Sequence, residues 1–412
     1  MNVKITPSTL TGVITAPASK SFAHRLIIGA FLSNDEVKVR GVGSSKDVIA
    51  TLSALTAMGA DVSLDEGCAS FRKRKPVNGE ITANCHESGS TLRFLFPIAG
   101  ALGMDVDFTG SPRLMERPMD ALTSCLTQHG VQISGHRTSG RLTPGLYVID
   151  AGVSSQFITG LLFALTLLDR NSQIFLRGGL VSRGYLDITV SVLRSFGVRV
   201  DRTDYGYFVF GNQKYEAKTS LDVEGDWSGA AFLLTAGAIG GEVEVKGLNT
   251  DSAQGDRAIL DVLSRLGARV TINKMSAKVS RGDLHAIEYD CEDVPDLVQT
   301  ISVACAYARG ESVLKNVDRL RIKESDRVEA IIDMLTRAGI RAWADGHDLH
   351  VVGGAPRGAT FDGGNDHRTV MSEAVLASFA DGESQILGAE VVDKSYPDFF
   401  RDLIALGGRV NG

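Results

Sequence analysis

The sequence has few cysteines, and they are scattered along the chain. The five are Cys68, Cys85, Cys125, Cys291 and Cys305. Their number is odd and no two form a Cys-x-x-Cys pair, which argues against a disulfide framework and against a zinc site. We therefore expect a protein of a reducing compartment, the cytoplasm, that binds no metal.

Long apolar runs and an excess of positive charge are also missing. No apolar run reaches the roughly 20 residues of a membrane-spanning helix, and residues 1–7 lack the apolar centre of a signal peptide. The formal net charge is −6, which argues against general nucleic-acid binding. We expect small-molecule ligands, with neither nucleic acid nor membrane as a partner.

An internal repeat is the main positive feature of the sequence. In six places an amphipathic segment ends in a glycine that is followed by β-prone residues, with a period of about 70 residues. These glycines are Gly59, Gly130, Gly197, Gly267, Gly339 and Gly407. Each is predicted to end a helix in the left-handed conformation, just before a strand. A chain of 412 residues with six such units predicts two domains.

A second pattern precedes each glycine, where a short polar cluster opens a strongly apolar helix. The clusters lie at residues 19–21, 88–90, 154–156, 226–228, 293–296 and 365–368. A helix that is apolar on every face is buried, and its amino terminus favours anions. Ordinary capping explains the Ser, Asp and Asn residues, but not Lys20, Arg25, Gln156 or Arg368. Bound anions would account for these four.

Residues 318–327 form the densest run of charge and have two interpretations. The run is typical of a solvated helix, although Lys323 and Arg327 would then be like-charged neighbours four residues apart, which is unfavourable. Alternatively it belongs to an anion site, together with arginines such as Arg117, whose guanidinium suits carboxylate and phosphate. Glu324 would then be a carboxylate tuned for proton transfer.

Taken in order, these segments resemble the 5-enolpyruvylshikimate-3-phosphate (EPSP) synthase family of enolpyruvyl transferases along essentially the whole chain. The matching segments are Lys20-Ser21 with Arg25, 88–93, 112–118, 154–157, 182–185, 224–226, 295–296, 321–327, 366–368 and 394–398. Each segment alone is a weak signal, whereas the ordered set is specific.

The resemblance implies an α/β (α+β) fold, a two-domain inside-out α/β barrel. Six repeated βαβαββ units, three per domain, would surround buried parallel helices. Residues 14–222 would form an N-terminal-half domain, mainly on the shikimate 3-phosphate side. Residues 1–13 and 223–412 would form a C-terminal-half domain that contributes catalytic and phosphoenolpyruvate-binding residues, with a hinge near residues 13 and 223.

The resemblance also implies the reaction. The enolpyruvyl group of phosphoenolpyruvate would pass to the 5-hydroxyl of shikimate 3-phosphate through a tetrahedral intermediate that loses phosphate. This is a step of the shikimate pathway to chorismate and the aromatic amino acids. No cofactor is implied, and we expect a monomer.

Site residues follow from the same resemblance. Asp296 is the expected base toward the 5-hydroxyl, and Glu324, helped by Lys20, is the expected proton carrier for the methylene carbon; His367 is a further catalytic candidate. The expected shikimate 3-phosphate ligands are Lys20, Ser21, Arg25, Ser154, Ser155, Gln156, Ser182, Tyr185, Asp296 and Lys323. The expected phosphoenolpyruvate ligands are Lys20, Gly89, Arg117, Gln156, Arg327, Arg368 and Lys394.

Four places depart from the family pattern. Glu87 replaces a common Asn, Phe94 replaces a common Pro, Arg319 replaces a common Asn, and Arg183-Gly184 replaces a common Lys-Pro. The first two alter the helix behind Gly89, a region tied to glyphosate inhibition, so sensitivity to that compound does not follow from the sequence. The contact that position 319 would make on the shikimate side is equally open.

Two other functions stay open. A UDP-N-acetylglucosamine enolpyruvyl transferase would share the fold and the donor, but that family has Lys-Asn where this chain has Lys20-Ser21, and a reactive cysteine on a mobile loop. A non-catalytic or RNA-end-processing relative would share the repeat. Loss of Asp296, Glu324 or Lys394 would favour that second alternative, and all three are present.

Overall fold

The structure is a computed structural model that describes residues 1–33, 35–77, 79–150, 152, 154–178, 183–217 and 219–412. The chain divides into two compact units. Unit 1 comprises Met1–Ser19 and Glu224–Gly412, and unit 2 comprises Lys20–Val223. The first division follows Ser19 rather than residue 13, because strand residues up to Thr15 pair with a strand of unit 1.

Short strands occur along the whole chain. Within the described residues they are β1 (Val3–Thr6), β2 (Thr11–Thr15), β3 (Val37–Arg40), β4 (Asp61–Asp65), β5 (Cys68–Arg72), β6 (Ile81–Asn84), β7 (Val106–Thr109), β8 (Val131–Ser134), β9 (Arg137–Gly140), β10 (Leu146–Asp150), β11 (Ser172–Arg177), β12 (Val200–Thr203), β13 (Gly206–Val209), β14 (Ser220–Asp222), β15 (Glu242–Lys246), β16 (Arg269–Asn273), β17 (Ser276–Ser280), β18 (Glu288–Asp290), β19 (Glu311–Lys315), β20 (Arg341–Asp345), β21 (Asp348–Val352), β22 (Thr360–Asp362), β23 (Ser384–Leu387) and β24 (Arg409–Asn411).

Helices alternate with these strands. The α-helices are α1 (Lys20–Leu32), α2 (Lys46–Ala57), α3 (Gly89–Leu102), α4 (Pro112–Met115), α5 (Asp120–Thr127), α6 (Ser155–Leu165), α7 (Arg183–Ser195), α8 (Trp227–Gly240), α9 (Ile259–Arg265), α10 (Val298–Ala306), α11 (Arg327–Arg337), α12 (His367–Phe379) and α13 (Phe399–Ala405). Short 3-10 helices are η1 (Gly255–Ala258), η2 (Pro295–Leu297), η3 (Asp318–Ile322) and η4 (Ala389–Lys394). In the described residues no helix is long and apolar enough to cross a bilayer.

The described strands form six four-stranded sheets, three in each unit, that share one pairing pattern. In the sheet β6-β7-β9-β8, β6 pairs with β7 in parallel, and β9 pairs antiparallel with both β7 and β8. The sheet β22-β23-β1-β24 has the same pattern, although its third strand comes from the start of the chain. The fold is therefore mixed α/β, with parallel and antiparallel pairing in every sheet.

The predicted helix-ending glycines are confirmed. Gly59, Gly130, Gly197, Gly267, Gly339 and Gly407 all have positive φ, between 71° and 104°. A residue with a Cβ is strained in this conformation. Each glycine therefore lets the chain leave a helix and enter the next strand after only three or four intervening residues.

The apolar helices predicted behind the polar clusters are also confirmed. The polar clusters lead into α1, α3, α6, α8, α10 and α12, whose residues are almost all buried. In unit 1, α8, α10 and α12 pack against one another and form the centre of its core.

Candidate functional site

In unit 1 the carboxylate of Asp296 lies among three cations. Asp296 belongs to η2, the short turn that precedes α10. Its Oδ1 lies 3.0 Å from Nη1 of Arg327 and 3.5 Å from Nζ of Lys323, and its Oδ2 lies 3.1 Å from Nη2 of Arg368. Arg368 also donates to the Asp296 carbonyl oxygen at 3.1 Å. Three positive side chains around one carboxylate stabilise its ionised form.

Arg327 is the centre of this group and is only 1% exposed. Besides Asp296, its guanidinium donates to Asp366 at 2.7 and 3.3 Å and lies 2.9 Å from Glu324. Burial alone would lower the pKa of Arg327, but Asp366, Glu324 and Asp296 together raise it. Arg327 is therefore a permanent cation that links three carboxylates from three parts of the chain.

The solvated-helix interpretation of residues 318–327 is wrong. The segment is a 3-10 turn, η3, that ends at Ile322, and α11 begins only at the buried Arg327. Asp326 caps α11 by accepting hydrogen bonds from the backbone N–H groups of Val328 and Glu329 at 3.1 and 3.2 Å. This cap starts the helix beyond Lys323, so Lys323 and Arg327 do not lie one turn apart on the same helix.

The amino terminus of α12 completes this set of residues. Asp366 caps the helix by accepting from the Arg368 backbone N–H at 2.9 Å, and it is fully buried. His367 follows with 2% exposure, and Lys394, in η4, donates to the Asn365 carbonyl at 2.7 Å. Burial lowers the pKa of Lys323, and the neighbouring Asp296 partly offsets this. The sequence-predicted residues Asp296, Lys323, Glu324, Arg327, His367, Arg368 and Lys394 are thus all placed in unit 1, around η2, η3, η4 and the starts of α11 and α12.

Asp256 is a buried carboxylate of unit 1 that the sequence analysis missed. It lies in η1 and accepts a hydrogen bond from the Ser228 hydroxyl, in the first turn of α8. Burial, reinforced by the nearby charge of Asp296, raises the pKa of Asp256 to about 6. In the sequence, Asp256 follows the 226–228 cluster only after the whole of α8 and a further strand. Nothing in that order indicates that Asp256 lies against the first turn of α8.

In unit 2, the first two turns of α1 carry two basic residues, Lys20 and Arg25, in different environments. Lys20 lies 2.8 Å from Asp47 of α2, and both side chains are partly buried. Arg25 is buried and donates to Thr189 Oγ1 at 2.8 Å and to Thr159 Oγ1 at 3.3 Å. It also donates to the carbonyl oxygens of Ser21 and Tyr185, at 2.8 and 3.1 Å.

All four of these Arg25 acceptors are neutral oxygens. Burial without a carboxylate among them lowers the pKa of Arg25 to about 9. Buried charges in proteins are normally paired, so an anion beside this guanidinium would be strongly stabilised. The hydrogen bond between Arg25 and the Tyr185 carbonyl also places side by side two residues that the resemblance assigns to shikimate 3-phosphate.

The amino termini of α3 and α6 meet through Gln156. Its side-chain amide donates to Ser90 Oγ at 3.0 Å, and its Oε1 accepts from Arg93 at 2.8 Å. Ser154 caps α6 by accepting from the Gln156 N–H at 3.3 Å, and Ser155 is buried in the first turn. The predicted polar residues of these two helices are therefore in one place, with Arg93 as an additional cation.

Gly89, the first residue of α3, lies directly against Arg117. A Cβ placed on Gly89 would be 2.7 Å from Nη1 of Arg117, closer than carbon and nitrogen approach without a bond. The absence of a side chain at this position therefore lets the guanidinium reach the start of α3. Ser182, the remaining sequence-predicted residue, lies outside the described residues.

The model of the family described as EPSP synthase (3-phosphoshikimate 1-carboxyvinyltransferase) matches residues 5–403. The chain belongs to this family.

Curated relatives extend the EPSP synthase match to both ends. A 3-phosphoshikimate 1-carboxyvinyltransferase of Clostridium novyi is 36% identical, with 100% of this chain and 98% of the relative covered. The Clostridium acetobutylicum protein of the same name is 37% identical over 99% of this chain and 98% of its own length. A solved EPSP synthase from Acinetobacter baumannii covers 100% of both chains with a TM-score of 0.83 at 23% identity, a likeness of fold.

Proposed function

We propose that this protein transfers the enolpyruvyl group of phosphoenolpyruvate to the 5-hydroxyl of shikimate 3-phosphate, releasing phosphate. Membership of the EPSP synthase family and the names of its full-length relatives support this activity. The observation that carries the proposal is the Asp296 carboxylate with Lys323, Arg327 and Arg368 within 3.5 Å. Both substrates are anions that need such cations, and the reaction needs a base among them.

In this proposal Asp296 accepts the proton of the 5-hydroxyl as that oxygen attacks the central carbon of phosphoenolpyruvate. Contacts of 3.0 to 3.5 Å with these cations hold the Asp296 carboxylate in place, and a positioned carboxylate can act as a general base. When an anionic substrate enters, Arg327 and Arg368 have donors to share between Asp296 and the substrate. Arginine suits this role because its five donors lie in a fixed plane.

Glu324 carries the proton for the methylene carbon in this proposal. It is partly exposed and lies 2.9 Å from Arg327, so its carboxyl group is both fixed and reachable. Lys20 assists, and His367, buried beside Asp366, is a further catalytic candidate. The tetrahedral intermediate then collapses: Glu324 takes a proton back from the methyl group, the C–O bond to phosphate breaks, and the C=C bond of the enolpyruvyl ether re-forms.

Residues of both units enter the assignment of ligands. Shikimate 3-phosphate is assigned to Lys20, Ser21, Arg25, Ser154, Ser155, Gln156, Ser182, Tyr185, Asp296 and Lys323. Phosphoenolpyruvate is assigned to Lys20, Gly89, Arg117, Gln156, Arg327, Arg368 and Lys394. The buried Arg25 with only neutral acceptors, and the Arg117 guanidinium at the start of α3, are the contacts in unit 2 that best support anion binding.

We further propose that the fold is an inside-out α/β barrel of six βαβαββ units, three per domain. The chain order β6-α3-β7-α5-β8-β9, counting the longer helices, and the shared pairing pattern of the sheets support this. Domain roles are proposed as the resemblance implies. Unit 2 serves mainly shikimate 3-phosphate, and unit 1 supplies the catalytic carboxylates.

The test is phosphate release from phosphoenolpyruvate in the presence of one acceptor at a time. Release with shikimate 3-phosphate alone is the expected result. Release with UDP-N-acetylglucosamine alone would overturn the acceptor, and release with neither would overturn the enzymatic proposal.

Asp296→Asn tests the assigned base. Because one well-placed base is worth roughly 10²–10⁴ in rate, kcat should fall by that factor while the protein stays folded. Asp333→Asn is a matched control, since Asp333 forms an exposed ion pair with Arg337 at the far end of α11. Near-normal turnover of Asp296→Asn, with substrate affinities unchanged, would refute the role of Asp296.

A further inference from the structure

A continuous chain of hydrogen bonds runs through the interior of unit 2. His24 Nδ1 lies 2.7 Å from Thr51 Oγ1, which lies 2.6 Å from Thr91 Oγ1, which in turn lies 2.7 Å from Ser88 Oγ. All four residues are at most 1% exposed. Buried polar groups are costly unless they are bonded, so this chain fixes its members relative to one another.

The chain joins three helices that the candidate site uses. His24 lies on α1 between Lys20 and Arg25, and Thr51 lies on α2, one turn beyond Asp47. Ser88 caps α3 by accepting from the Thr91 backbone N–H at 3.2 Å, immediately before Gly89. The chain therefore ties the helix that carries Lys20 and Arg25 to the first turn of α3.

Phe94 extends the contact between α3 and α1 by one more turn of α3. Ser88, Thr91 and Phe94 are spaced three residues apart and so lie along one stripe of the helix. The Phe94 ring meets the His24 ring edge-on at 6.4 Å, and the Arg25 guanidinium lies 4.9 Å from its centre. The whole stripe thus faces α1 and α2.

All the hydrogen bonds in this series are donated in one direction, from His24 towards Ser88. Thr91 donates its hydroxyl hydrogen to Ser88 Oγ, so it must accept from the Thr51 hydroxyl. Thr51 has then used its only hydrogen and must accept from His24, whose Nδ1 consequently carries a proton. Nε2 of His24 has no hydrogen-bond partner among the described residues. With Nδ1 protonated and the ring neutral, this nitrogen is an unmet acceptor, which is less rare in proteins than an unmet donor.

A neutral ring is what the surroundings of His24 favour. Burial, followed by the charges of Lys20 and Arg25, lowers the pKa of His24 well below its ordinary value. The imidazole therefore keeps one proton at neutral pH, and the hydrogen-bond direction decides which nitrogen holds it.

We propose that His24, as its Nδ1–H tautomer, is a positioning residue that acts through Thr51 and Thr91 to hold the first turn of α3 against α1. This first turn begins with Gly89, against which Arg117 lies, so its position sets where the phosphoenolpyruvate ligands of α3 and α1 stand. The catalytic consequence rests on the function proposed above. The tautomer and its hydrogen bonds do not.

The first test is the tautomer itself, measured by magic-angle-spinning NMR on protein labelled with 15N-histidine. The His24→Gln variant identifies the His24 signals by their disappearance. We expect a neutral ring with the proton on Nδ1 near neutral pH, and a changed Nδ1 signal in Thr51→Val. A proton on Nε2, or a doubly protonated ring, would overturn the proposed chain whatever the enzyme catalyses.

The second test is kinetic and uses Thr51→Val, which keeps the shape of the side chain and removes the contacts of its hydroxyl with His24, Thr91 and the Asp47 carbonyl oxygen. We expect KM for phosphoenolpyruvate to rise about 10-fold, from the loss of one or two buried hydrogen bonds, with a smaller change in kcat. Thr51→Ser, which restores the hydroxyl, should recover most of the loss.

Thr166→Val is the matched control for a general loss of stability. Thr166 is as buried as Thr51 and also belongs to unit 2, but it lies just after the carboxyl-terminal end of α6, away from Gln156 at the start of that helix. Its hydroxyl is 2.8 Å from the Tyr215 hydroxyl and 2.8 Å from the Phe163 carbonyl oxygen. It should lower Tm as Thr51→Val does and leave KM unchanged. Equal KM values for the two valine variants would overturn the positioning role. An inactive wild-type protein would instead refute the proposed function and leave the NMR result standing.

Discussion

Replacing Arg327 by leucine would remove the cation that Asp296, Glu324 and Asp366 share. Arg327 is 1% exposed and Asp366 is fully buried, so water cannot replace the lost contacts. Breaking a buried ion pair by removing one partner typically costs about 3–5 kcal/mol. This is a large part of the roughly 5–15 kcal/mol by which a domain is stable.

The loss of folding stability in Arg327→Leu should increase with pH. Burial tends to raise the pKa of Asp366, but Arg327 and His367 more than offset this and lower it. Without Arg327, burial dominates and the folded-state pKa rises above the unfolded value of about 3.8. A carboxyl group whose pKa is raised in the folded state makes the protein less stable as the pH increases. The destabilisation by Arg327→Leu should therefore grow as the pH rises above about 4.

Urea denaturation followed by tryptophan fluorescence would measure this loss. The two tryptophans, Trp227 and Trp343, both belong to unit 1, so the signal reports the unit that contains Arg327. Arg337→Leu on the same helix is the control, because its ion pair with Asp333 is exposed and contributes little. Equal losses in the two variants, or a loss that is constant over this pH range, would refute the reasoning.

Three further variants have expected outcomes. Gly89→Ala should displace Arg117 and raise KM for phosphoenolpyruvate by on the order of 10-fold in steady-state assays, since the new Cβ would lie 2.7 Å from Nη1. Burial raises the pKa of Glu373 to about 9, so this carboxyl group lowers the free energy of unfolding as the pH rises from about 4.5 to 9. Glu373→Gln should remove this contribution and so flatten the pH profile of stability. An unchanged profile would contradict the prediction. Thr138→Val should raise stability by about 1 kcal/mol, because the buried hydroxyl has no hydrogen-bond partner among the described residues; calorimetry showing a lower Tm would refute it.

Features governed by local rules were predictable from the sequence. The conformations of Gly59 and Gly407, and the buried helices that follow residues 88–90 and 365–368, depend on neighbours within a few residues. Glycine tolerates positive φ and apolar stretches seek burial wherever they occur. The same rules gave the polar character of the helix starts.

Partner choice within the site was not predictable in this way. The carboxylates around Arg327 come from positions 296, 324 and 366, and Lys20 pairs with Asp47 across a strand and a turn. Such pairings depend on how whole elements pack. The three-residue spacing of Ser88, Thr91 and Phe94 was visible in the sequence, but only the packed structure identifies the helices that this stripe contacts.

The pairing of β1 has a consequence for synthesis on the ribosome. Unit 2 is one uninterrupted stretch whose last strand, β14, pairs with its first, β3, so it can fold as soon as it emerges. By contrast, β1 is made before unit 2 yet pairs with β23 and β24, which are made after it. The backbone groups of β1 therefore lack these strand partners while an entire unit is produced between β1 and its partners. Any pause during that interval would lengthen the time for which the backbone of β1 is unpaired.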